Sequence, residues 1–314
     1  MTDQSISTYA EIWPLCGETS QAIYAATRPA VDPLINEIGL TQPHVMHTLL
    51  LALAVEPDPI SPERIWRRYP YGTVEGWSQP MATLAERQLL EAQGDAAYRL
   101  TSGGRAITTR ILKEFYAGLA GIEKTIEPEY PAASLDRLAL LLNKLVTAGL
   151  NSPIDLFGLK DSHGLASRSD AKPLARIDQA LDDLTAFRED AHLASWQPHH
   201  IAGHAWELFT FLWRGEVKNA AEMAEKTAGR GHTREAYQSA LGDLIGRGWV
   251  RAAGENAYEV TDSGRQVRED AEKLTDEYFF TPWKTLTTAE AMDLKQLLVQ
   301  LKPVLIQQVE AVPA

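Results

Sequence analysis

Three sets of side chains in this sequence have the types and spacing to do chemistry. Arg230, His232, Thr233, Arg234 and Gln238 crowd one short stretch. Arginine can donate two parallel bonds to a guanine edge and glutamine can pair with adenine, so such a cluster suits a nucleic-acid contact. Arg64, Arg67 and Arg68 form a second basic group, followed by Ser78 and Gln79. Histidines make the second set: His200 and His204 share a helix face, His192 and His199 lie nearby, and His44 and His47 repeat the pattern earlier. A zinc or iron site needs three or four converging ligands, with carboxylates such as Glu189 or Asp190 as helpers. The sequence holds no HExxH and no CxxC. Capping or stacking is therefore the expected work of these histidines, and no metal or other cofactor is expected. Aromatic residues are the third set, dense in the second half as Trp206, Trp213, Tyr278, Phe280 and Trp283. Most must be core, yet they are also the candidate walls of an apolar effector pocket. No phosphate-cradling glycine loop and no GxSxG is present, and Cys16 has no base partner, so no enzyme is expected.

Composition narrows the class. The chain has 314 residues, 45% hydrophobic and 23% charged, and a formal net charge of −12. That length predicts two ordinary globular domains. The negative charge opposes sequence-independent attraction to nucleic acid. The longest apolar run, VMHTLLLALAV (45–55), is too short for a membrane span and contains His47. One cysteine allows no internal disulfide, and MTDQSISTYAEIW has neither a basic nor an apolar leader region. A cytoplasmic protein is expected.

The chain then repeats itself. YRLTSGGRA (98–106) lies over YEVTDSGRQ (258–266), and LAERQLL (84–90) over LIGRGWV (244–250), both at an offset of 160. LALLLNKL (138–145) lies over LKQLLVQL (294–301), now at 156. The difference is close to one helical turn, which shortens a helix without rotating its apolar stripe much. This reads as a diverged tandem duplication.

Each copy has the same local grammar. PHVMHTLLLALAV is dense enough for a buried helix, Ser61-Pro62 starts the next, and Pro70-Tyr71-Gly72 is a turn. A third helix runs to about Leu90, with Pro80 expected to make its start late or irregular. LLEAQ and AAYRLT, split by Gly94-Asp95, predict a hairpin. The second copy offers AWELFTFLWRG, NAAEMAEKTAG and TREAYQSALGDLIGRG as helices and WVRAAGENAYEVT as hairpin. Before it, LARIDQALDDLTAFREDAHLA has Leu174, Ile177, Leu181, Leu184 and Phe187 inward, with five acids expected outward. In T-x-x-G-R, the threonine is expected to cap the next helix and the glycine to permit a close backbone approach. Arg105 and Arg265 are expected to meet an acid or carbonyl near the hairpin.

L-x-x-R-x-L-L, a short hairpin, then Y-x-L-T-x-x-G-R resembles the multiple-antibiotic-resistance regulator (MarR) type of winged helix. It occurs as LAERQLLEAQGDAAYRLTSGGR and again as LIGRGWVRAAGENAYEVTDSGR. Proteins of that family usually pair two chains through their terminal helices, and many bind small effectors. The resemblance implies a mainly α chain of two winged helix-turn-helix units with small β-hairpin wings, paired through long flanking helices as an intrachain pseudo-dimer. The units are 1–150 and 174–314, with 151–173 as linker.

A winged helix reads double-stranded DNA by laying its third helix in the major groove. The second copy, with Arg230, His232, Thr233, Arg234 and Gln238, is expected to do most of the base reading. The first offers Ser78 and Gln79 with Arg64, Arg67 and Arg68 behind them, and both hairpin tips carry acids. The expectation is a DNA-binding transcriptional regulator, a single chain responding to a small apolar or aromatic effector. The competing expectation is a winged-helix protein without DNA binding, acting as a ligand-binding or protein-interaction module. An uninterrupted positive stripe over the arginines favours the first, and acids among them favour the second.

Overall fold

The computed structural model describes residues 3–166 and 172–310. Helix α1 (Asp3–Ile38) leads into α2 (Pro43–Ala54), α3 (Pro62–Arg68), α4 (Val74–Glu86), a hairpin β1 (Leu90–Gly94) and β2 (Ala97–Leu100), then α5 (Ser102–Ile126) and α6 (Ala132–Gly149). After α7 (Phe157–His163) the order returns: α8 (Pro173–Trp196), α9 (Gly203–Trp213), α10 (Ala220–Lys226), α11 (Arg234–Gly246), β3 (Val250–Gly254), β4 (Ala257–Val260), α12 (Asp262–Phe280) and α13 (Thr288–Glu310). The chain is mainly helical, with two small antiparallel hairpins. No helix among the described residues is long and apolar enough to cross a membrane.

Local chemistry places these elements where the sequence suggests. Ser61 caps α3, accepting from Arg64 N at 3.1 Å, with Pro62 in the first helical position. Thr73 caps α4 and Thr233 caps α11 in the same way. The hairpins share one register, Leu90 opposite Leu100 and Val250 opposite Val260, with matching irregularities before Gly94 and Gly254. The T-x-x-G-R hinge is built twice from identical bonds. Thr101 Oγ1 accepts from Gly104 N at 2.9 Å and donates to Gln88 O at 2.7 Å; Thr261 Oγ1 does so with Gly264 N and Gly248 O at 3.0 and 2.7 Å. Arg105 meets the Glu56 carboxylate.

Buried side chains gather in three groups. One fills the space between α2, α3, α4 and the first hairpin, around Leu49, Ile65, Met81 and Leu84. A second fills the equivalent space between α9, α10, α11 and the second hairpin, around Trp206, Phe209, Tyr237 and Leu244. The third lies between the long helices α1, α5, α6, α8, α12 and α13. There α6 packs on α8, and α1 packs on α13, with Lys295 on Glu11 and Lys302 on Glu18.

Two expectations are corrected. Helix α4 is continuous from Val74 despite Pro80; the carbonyl deprived of a partner by the proline belongs to Gly76, which is exposed to water. The five acids of α8 do not all face outward, since Asp183 and Asp190 are buried. Asp183 accepts from Ser162 Oγ and Gln179 Nε2 and meets His163 Nδ1 at 2.6 Å, while Asp190 accepts from Gly158 N and Leu159 N at 2.7 and 2.8 Å. The segment 151–173 contains α7, whose first turn is fixed by Asp190, and its residues 167–171 lie outside the described residues.

Candidate nucleic-acid interface and cleft

The exposed polar residues at the start of the third helix of each unit are the natural candidates for base contact. Arg234 and Gln238 lie on the first turns of α11 and are exposed; Arg234 holds no ion pair among the described residues. Ser78 and Gln79 are likewise exposed on α4. Thr233 is committed to capping, accepting from Ala236 N at 3.2 Å.

The other basic candidates all have partners within the protein itself. Arg64 Nη2 binds Asp161 Oδ1 at 2.8 Å, and Arg67 binds Asp155 with its guanidinium 4.5 Å from the Phe157 ring. Arg68, only 10% exposed, donates from Nε and Nη2 to Glu189 Oε2 at 3.1 and 3.0 Å. The arginines of α3 are thus neutralised by acids of α7, of α8 and of the segment before α7. Arg230 Nη2 binds Glu207 Oε1 at 2.9 Å, a carboxylate whose pKa is raised, since burial outweighs the opposing effect of that arginine. His232 is half-buried, its ring stacked 4.4 Å from that of His204 and its Nε2 3.1 Å from Tyr71 O. Burial lowers the pKa of both imidazoles. In the second hairpin Arg251 pairs with Glu259. Acids therefore interrupt the basic stripe.

No group of three or more His, Cys, Asp or Glu among the described residues is placed to hold a metal. His47 is packed against the rings of Tyr69 and Trp77, and its Nε2 is buried without a partner. Burial above all, then Arg68 and His44, drives its pKa down to about 4. The unfolded chain binds this proton near pH 6.5 and the folded chain does not, so stability falls as pH drops from about 6.5 towards 4. At pH 5 the loss from His47 is about 2 kcal/mol. The His47→Phe variant lacks this group while keeping every other titrating residue. Its urea midpoint is expected to fall less than the parent's between pH 7 and pH 5; equal falls would contradict the assignment.

The five aromatic candidates do not converge. Trp206 and Trp213 belong to the second unit, where the Arg268 guanidinium lies 4.7 and 5.0 Å from their rings. Phe280 and Trp283 are buried in the central core, and Tyr278 packs beside it. A cavity of about 290 Å³ opens elsewhere, between α8, the end of α3 and Trp13 of α1. Tyr69 and Tyr71 form one wall and Arg188, His192 and Leu193 another. Arg188 Nη2 binds Asp276 at 2.9 Å and its Nη1 is buried without a partner. Burial takes the His192 pKa down to about 4, so its imidazole is neutral at pH 7. Sequence spacing offered no signal for this cleft, because its walls come from residues 13, 68–71 and 185–193.

No curated protein and no solved structure matches the chain. A family model described as "Helix-turn-helix family" matches residues 131–313. That match takes in α9, α10 and α11 together with the long helices around them, and covers more than half of the sequence. The chain belongs to this helix-turn-helix family.

Proposed function

We propose that this protein is a DNA-binding transcriptional regulator of the MarR-like winged-helix type, a tandem duplication folded as an intrachain pseudo-dimer and controlled by a small effector. Family membership supports DNA-binding regulation in general terms. The pseudo-dimer reading is supported by reciprocity. The first long helix of one half packs on the last of the other, α1 on α13, and the same holds for α8 on α6. A two-fold pairing makes contacts in such exchanged pairs.

The observation that carries DNA reading is the exposed pair Arg234 and Gln238 on the capped start of α11. With Arg64, Arg67, Arg68 and Arg230 tied to acids, Arg234 becomes the principal base-reading cation. The cleft beside Tyr69 and Tyr71 is the effector site this reading favours: its aromatic walls and almost wholly apolar lining suit a flat aromatic molecule.

Selection of bound fragments from the source organism's genomic DNA, at low and near-physiological salt, tests the reading. One site surviving the higher salt is expected. Arg234→Ala should weaken that site by about 10- to 100-fold, the worth of one good base contact. Unchanged affinity would remove Arg234 from the interface. The four arginine–acid pairs favour a second reading, a ligand-binding or protein-interaction module without DNA binding, which recovery of no fragment would select.

A further inference from the structure

The turns that precede α4 and α11 are not separate. Thr73 N donates to Arg230 O at 3.0 Å, and His232 Nε2 meets Tyr71 O at 3.1 Å. The Tyr71 ring enters the second unit's core, 6.1 Å from the Trp196 ring and 5.8 Å from the Arg230 guanidinium. Glycines allow this approach. A Cβ on Gly203 would overlap the Pro70 carbonyl, and one on Gly231 would sit 2.9 Å from Thr73 Oγ1. Gly203 has an ordinary helical start to supply in α9, so the close approach of Pro70 is what demands a glycine there.

This contact has a geometric consequence for DNA. Thr73 and Thr233 cap the two third helices, and Thr233 follows Arg230 by three residues. Chain dimensions then hold the two capping Cα atoms within roughly 18 Å of each other. Helix-turn-helix pairs place the starts of their third helices in successive major grooves about 34 Å apart. The observed arrangement cannot do that.

We propose that the contact between residues 70–73 and 230–232 is a built-in lock, whose release lets α4 and α11 reach successive grooves. The inference rests on the regulator reading above and adds its control point. Tyr69 and Tyr71 line the cleft while the Tyr71 carbonyl holds His232, so an occupant of the cleft touches the turn that makes the lock.

The test uses the full chain carrying spin labels at Gln93→Cys and Glu255→Cys, one near each hairpin tip. Cys16 is buried and its thiol is pushed up to about 12, so it resists labelling. Gly203→Ala, which drives a methyl group into Pro70, and Tyr71→Ser, which withdraws the ring, are two independent ways to open the contact. The expected result is a longer label-to-label distance in both variants and binding to sheared genomic DNA at least about 10-fold tighter than the parent's, a gain of about 1.4 kcal/mol. A longer distance without tighter binding, in a chain that does bind DNA, overturns the lock and leaves the regulator reading standing. No DNA binding by parent or opened variants overturns both. Unchanged distances in both variants overturn the lock alone.

Discussion

Replacing Gly264 by alanine is expected to cost the protein on the order of 3 kcal/mol or more, and Gly104→Ala the same, because each would force a methyl group into backbone. A Cβ at Gly264 would overlap the Trp249 carbonyl oxygen, and one at Gly104 the Leu89 carbonyl oxygen. Neither carbonyl can move freely. Trp249 O accepts from Thr261 N at 2.9 Å and Leu89 O from Thr101 N at 3.1 Å, bonds that fasten each hairpin to the following helix. Relief of the clash would break that fastening and pull Thr261 or Thr101 from its cap. The neighbouring position is the control. Gly103 has only Thr101 Oγ1 nearby, at 3.7 Å, and its counterpart in the second half is already Ser263. Gly103→Ala should be neutral or slightly stabilising, since alanine suits a helix better than glycine by about 1 kcal/mol. Urea unfolding of the three variants decides the matter. A loss below about 1 kcal/mol for Gly264→Ala would sink the close-approach account.

Arg268→Ala carries the second large expected effect. This arginine is 0% exposed, its guanidinium lies between Trp206 and Trp213, and its Nη2 reaches Glu272 at 2.5 Å. Its Nε and Nη1 have no partner, and burial lowers its pKa. Truncation removes two ring contacts, opens a cavity and leaves Glu272 without its partner, a loss of about 3–5 kcal/mol. Arg268→Met keeps most of the volume and needs no hydrogen bonds, so it should recover most of the loss. If Met proves as damaging as Ala, the charge and not the packing holds this site together. Denaturant midpoints and slopes of the two variants separate the outcomes.

What was legible in the sequence was mostly local. Caps at Ser61, Thr101 and Thr261, the hairpins around Gly94 and Gly254, and the hinge glycines follow from bonds spanning only a few residues. The long α1 was not assigned; Pro14, Pro29 and Pro33, residues that ordinarily interrupt a helix, all lie inside it. The engagement of the α3 arginines was illegible for a different reason. Their partners Asp155, Asp161 and Glu189 stand some 90 to 120 residues away, in a segment taken for linker and on a helix face taken for solvent. A charged side chain in a sequence announces that it needs a partner, and it does not say whether that partner is a phosphate or an aspartate. Aromatic clustering in sequence does not carry over into space either: Trp206 and Phe280 are both buried, but in different cores.

The parallel contact of α1 with α13 governs the order in which this chain can fold. Glu11 and Glu18 wait for Lys295 and Lys302, each pair separated by 284 residues. At synthesis rates of about 5–20 residues per second, α1 stands ready for roughly 15–60 s before its neighbour exists. The core around Leu49 and Met81 draws its residues from 34–111 and can close during that interval. The central core cannot be completed until the last long helix has emerged. Folding is therefore expected to run from the first unit outward, with the apolar side of α1 the segment most in need of cover meanwhile.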